Sequence, residues 1–245
     1  MITGIDYFYI LLLLMENNQL YQFVWDKSNL KQDIYHITYQ AFNKFKSIAE
    51  KLVQEYKDFT KGKEGRKIPF EFNDKGDMEF EIIFGGDVLL FLMHSNIFEL
   101  PRHHDVMTTS YIKEDKSRSY CGLIHIYNFL ADSFKYGREN DAGYMIGRIM
   151  LNKENHYLIE GKKEIGTIYH QYSQSLLDEI AIENILKTAI EYTLNFDLLV
   201  PPYEKVAYIS VMDVIKAASW KKLGTEKRLG FRFQADEKEV RDQHS

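Results

Sequence analysis

From residue 30 to residue 59 an apolar side chain returns every three or four positions: Ile34, Ile37, Ala41, Phe42, Phe45, Ile48, Ala49, Leu52, Val53 and Tyr56. That spacing predicts a helix of about seven turns with one greasy face. Lys44, Lys46, Glu50, Lys51, Glu55 and Lys57 fill the opposite face, where opposite charges about a turn apart support one another. Glycines and charges at residues 61–66 end it.

From residue 68 the period drops to two. Phe70 and Phe72 flank Glu71, and Phe80, Ile82 and Phe84 alternate with Glu81 and Ile83. With turn residues at 73–76 and 85–87, this predicts an antiparallel meander ending in a strand over residues 88–94. Residues 122–127 read as a further strand, and 144–151 pairs with 156–160 across a hairpin loop at 152–155. A second helix is expected over residues 174–196, with Leu177, Ile180, Ile185 and Leu194 on its apolar face and Ser173 or Ser175 as its cap. Beyond Pro201-Pro202 the pattern reads strand (206–209), helix (211–223) and strand (229–233), and residues 235–245 form a polar tail.

Together these elements predict one α+β domain over residues 1–234: a central antiparallel sheet flanked by two long helices, with a C-terminal β-α-β extension. No internal repeat or linker divides it.

At 245 residues, 45% hydrophobic and 27% charged, the chain has the balance of a globular protein. Tyr and Phe number 17 and 16 against only 4 Pro, so an aromatic core is expected. Cys121 is the single cysteine, which excludes an intramolecular disulfide and a Cys-based zinc cage and leads us to expect a cytoplasmic, reducing setting. Residues 7–15 are apolar without interruption, but a bilayer span takes roughly 20 such residues. The run also lacks the basic flank of an export signal, so no membrane role is expected. It reads as a buried helix, with a hydrophobic contact in a homo-oligomer as the alternative. A net charge of −5 disfavours nucleic acid as a partner, and the basic stretch at Lys221, Lys222, Lys227 and Arg228 reads as a solvated helix end.

Two arrangements of residues carry chemical possibilities. Asp141, Glu160 and Lys162 have the order of a Mg²⁺-dependent nuclease, in which two carboxylates hold the ion and a lysine works on the attacking water. Glu160 and Lys162 are two apart, so on one strand they share a face. The second arrangement is a long loop over residues 99–120 holding Arg102, His103, Asp105, Lys116 and Arg118, charged groups suited to a ligand. His103 and Asp105 fall on one side of an extended chain, and His94, His125, His156 and His170 lie elsewhere as further possible metal ligands. Cys121 reads as a small core residue.

The favoured expectation is a non-catalytic module that binds a small molecule or a protein partner through the open side of the sheet and the 99–120 loop, without a cofactor. The alternatives are the Mg²⁺-dependent nuclease and an oligomerisation or interaction module using the apolar N-terminal helix.

Overall fold

The structure, a computed structural model, describes residues 4–139, 141–161, 172–196, 200 and 202–212, with backbone alone for residues 4–16 and 205. Helix α1 (Gly4–Thr60) is a single rod of 57 residues. The helix expected over residues 30–59 and the apolar run at 7–15 are thus one element. The polar residues Glu16, Asn17, Asn18 and Gln19 between them contain neither Gly nor Pro, so nothing interrupts the hydrogen-bond ladder. Gly62, at φ 77°, takes the left-handed conformation just past the helix end.

Strands β1 (Phe70–Gly76), β2 (Glu79–Phe84) and β3 (Asp87–Met93) form the expected meander. β1 continues through the expected turn because Asp74 and Gly76 still pair with Phe80 and Glu79 across a register shift, and Lys46 of α1 reaches over to Asp74 Oδ1 (2.7 Å) and Gly76 O (2.6 Å) there. After the short β4 (Phe98–Glu99) come a 3₁₀ turn at Asp105–Thr108, helix α2 (Ser110–Glu114) and a second 3₁₀ turn at Lys116–Ser119. The segment expected to be an open loop is therefore folded. β5 (Tyr120–Leu130), α3 (Ala131–Lys135), β6 (Tyr144–Asn152) and β7 (Tyr157–Gly161) follow, and the sheet runs β1-β2-β3-β5-β6-β7 with β4 on the side of β5. All its pairings are antiparallel.

Helix α4 (Glu179–Leu194) starts later than expected, and its cap is Asp178, whose side chain accepts from Ala181 N at 2.7 Å. Ser173 and Ser175 are not used as caps because the chain there extends the sheet: Tyr157 N donates to Ser175 O at 3.0 Å and Leu176 bridges His156. The strand expected at 206–209 is absent; Tyr203–Val206 forms one helical turn, α5. The rest of the β-α-β extension, the basic stretch from Lys221 and the tail at 235–245 lie outside the described residues.

Both long helices pack on the same face of the sheet. Ala41, Phe42, Phe45 and Ala49 of α1 and Ile182, Ile185, Leu186 and Ala189 of α4 meet Phe80, Phe91, Ile124 and Ile149 in one buried cluster. Phe80 stacks on Phe91 at 4.5 Å between ring centroids and meets Phe42 at 5.2 Å. Close approach of helix to sheet is set by Gly122, where an added Cβ would sit 2.1 Å from Thr38 Oγ1. On the opposite face Leu100, Val106 and Ile112 of the folded segment cover Cys121, Leu123, Met150 and Leu158.

Candidate functional site

The folded segment is clasped to the sheet by named groups. Arg118 stacks on Tyr111, 4.4 Å from the ring centroid, and its Nε donates to Glu154 Oε1 at 2.9 Å while Nη1 donates to Tyr111 O at 2.9 Å. The Tyr111 hydroxyl donates to Glu154 at 2.8 Å and accepts from Asn152 Nδ2 at 2.8 Å. Burial foremost, and then the neighbouring Glu154 carboxylate, push the Tyr111 phenol up to about 12. Lys153 pairs with Asp115, whose carboxyl is held far below its ordinary range by that contact and by the Ser117 hydroxyl. Arg118 is thus a strut. Arg102, His103, Asp105 and Lys116 lie on the outer surface of the segment, exposed.

Beyond the segment the same sheet face carries a row of register partners, Leu92, His125, Arg148 and Glu160. Arg148 Nε donates to Glu160 Oε2 at 2.6 Å, and His104 reaches Oε1 of the same carboxylate at 3.3 Å. Burial, helped by Arg148 and His94, lowers the pKa of His125, which favours its neutral form. The charges of this row are spent on one another. Burial pushes the Cys121 thiol up to about 12, as suits an inert core residue.

Of the nuclease constellation, Asp141 sits ahead of β6, accepting from Ser133 Oγ at 2.7 Å and lying 3.8 Å from Arg138. Glu160 faces Arg148, well inside β6; at ~3.3 Å per residue the two carboxylates stand roughly 10 Å or more apart along the strand. Lys162 lies outside the described residues, as does His170. Among the described residues no group of three or more His, Cys, Asp and Glu side chains could hold a metal ion.

The most exposed apolar feature is on α1. Lys27 rests its ammonium 3.5 Å over the ring of Tyr120, and N-terminal to it every described side chain from Asn17 to Asp26 is exposed. These include Leu20 (55%), Tyr21 (63%), Phe23 (64%), Val24 (53%) and Trp25 (67%). At 100° per residue these five occupy about half the circumference of the helix, contiguous with the stripe that Ile34, Thr38, Phe42 and Phe45 press onto the sheet. The stripe outruns the sheet for a geometric reason. A helix of 57 residues is about 85 Å long, whereas six strands at ~4.8 Å spacing are only about 24 Å across. Among the described residues no helix is long and apolar enough to cross a membrane.

The run at 7–15, expected as a buried helix or as an oligomer contact, is part of the same rod, and the aromatic cluster at 20–25 is the part of this arm that the expectation did not include. The available signal was length: the repeat at Leu20, Val24, Lys27, Lys31, Ile34, Thr38, Phe42 and Phe45 covers more helix than the sheet can shelter. Comparison with known proteins adds no relative: no protein-family model, no curated protein and no solved structure matches this chain.

Proposed function

We propose that this chain is a protein-binding module that docks its partner through the N-terminal arm of α1. The observation that carries the reading is the cluster Leu20, Tyr21, Phe23, Val24 and Trp25, bare on a helix that has left its own domain. With aromatic side chains of 150–250 Å² each, the cluster presents on the order of 600 Å². A single chain in water rarely shows a larger patch, and patches of roughly 300–600 Å² are commonly interaction sites. Covering it recovers on the order of 15 kcal/mol at ~25 cal/mol per Å², against roughly 4–15 kcal/mol lost to association. The gross gain is of the same order as the cost, so the fit of the partner decides the affinity.

The small-molecule form of the expectation has less behind it. The grooves lined by Lys31, Tyr35 and Phe98 (about 520 Å³) and by Leu52, Phe70, Ile190 and Leu194 (about 400 Å³) lie open to solvent. A small ligand favours an enclosed site with convergent polar groups. The nuclease reading is weaker for another reason: the Asp141 and Glu160 carboxylates are engaged with Ser133, Arg138, Arg148 and His104 in place of an ion.

Light scattering on the purified full chain and on the double variant Leu20→Glu/Val24→Glu tests the proposal. The wild type is expected to run heavier than its 29.0 kDa, with itself or with a co-purifying protein, and the variant as a folded single chain. A wild type that is always a lone chain, indistinguishable from the variant, would rule the proposal out.

A further inference from the structure

We infer that the partner covering the arm is a second copy of this chain, its arm running antiparallel to the first; this rests on the reading of the arm as a docking element. The stretch of α1 from residue 4 to residue 26 is about 35 Å long at 1.5 Å per residue, and its described side chains, 17–26, are all exposed. Two such arms laid against each other along their full length put the globular bodies at opposite ends.

Charge selects this direction. Residues 2–26 hold three acids, Asp6, Glu16 and Asp26, and no Lys, Arg or His. A parallel pair in register on the Leu13–Leu20 face stacks Asp6 and Glu16 on their own copies, two repulsive contacts, while Asp26 lies about 120° around the helix and faces away. In the antiparallel pair, with position 16 of one copy beside position 17 of the other, the two Glu16 side chains stay close at the axis as in the parallel pair, but Asp6 stands opposite Lys27 in place of its own copy. The same register lays the apolar block 7–15 along the exposed cluster at 20–25 and leaves Glu16 and Asn17 at the two-fold axis. A polar centre flanked by apolar blocks fixes register in helix pairs. The lack of cations on the arm also removes the group by which a helix grips an anionic lipid surface.

The area agrees with a dimer. Two exposed clusters of roughly 600 Å² reach the lower bound of a standard interface, about 1,200 Å² in total, before the 7–15 blocks add theirs.

The test uses the full chain with Cys121→Ala and either Leu13→Cys or Leu20→Cys, positions one heptad apart and so on one helix face. Cys121 lies in the core, so each variant is expected to melt as the Cys121→Ala chain does. When the two variants are mixed and mildly oxidised, disulfides between position 13 of one copy and position 20 of the other are expected to dominate over like-with-like pairs. Like positions stand seven residues out of step, about 10 Å, beyond disulfide reach. Predominant 13-to-13 and 20-to-20 crosslinks would mean a parallel dimer and overturn the inference while leaving the docking arm intact. A heavier complex built on a different protein, with no mixed crosslink, would do the same. A lone chain at every concentration would remove both the inference and the proposed function.

Discussion

Gly122 is the residue on which the contact of α1 with the sheet turns. Its missing Cβ makes room for Thr38, which is fully buried and returns its hydroxyl to Ile34 O at 2.7 Å. A methyl group here meets Thr38 at a distance no real Cβ tolerates, and both backbones are anchored, the strand in its ladder and the helix against the core. Gly122→Ala is therefore expected to cost about 1–3 kcal/mol, the usual penalty of overpacking. Gly86→Ala, with open space around it, is expected to leave stability nearly unchanged. Denaturant midpoints of the two variants check this, and equal midpoints would contradict it. The need for glycine at 122 was not legible in the sequence, where it reads as one more strand residue. It becomes visible only when the helix is placed against that strand.

The elements that sequence pattern located well are those whose period is set by burial on one side. The strands at β2 and β3 and the β6–β7 hairpin fall within a residue or two of their expected bounds, because Phe80, Ile82 and Phe84 must alternate to reach a single core. The folded segment 99–119 escaped for the opposite reason. Its turns are short, and its apolar anchors Leu100, Val106 and Ile112 have no regular period. What holds the segment is a set of long-range polar pairs, Arg118 with Glu154 and Asp115 with Lys153, 36 and 38 residues apart. Of the candidate ligand residues, Arg118 is engaged with Glu154 and the Tyr111 carbonyl, while Arg102, His103, Asp105 and Lys116 stand exposed. The Asp115 pair makes docking of the segment pH-dependent. Its carboxyl is depressed in the folded chain, first by Lys153 and then by Ser117, so the stabilisation is fully present above the unfolded value near ~3.9 and is lost as pH falls through the folded value below it. Lys153→Met is accordingly expected to be less stable than wild type at neutral pH, with the gap shrinking as the pH drops under about 4. A gap that stays constant through that range, in denaturant titrations at a series of pH values, would show that the pair does not act this way.

At the scale of the whole molecule, the α+β class, the antiparallel sheet and the two long helices follow from pattern, while the arrangement of those helices on one face does not. A helix stripe reports that something covers it, without reporting what. In α1 the same stripe is covered by the sheet from Ile34 onward and lies exposed over residues 17–26. The account therefore depends on the arm being bare in a lone chain. Trp25, 67% exposed, reports on it directly once Trp220→Phe leaves it as the sole tryptophan. The measurement is acrylamide quenching of Trp25 fluorescence at dilutions where light scattering finds single chains. Quenching close to that of a free tryptophan is the expected result. A Trp25 shielded in the lone chain would mean that the protein covers its own arm, and would contradict the account.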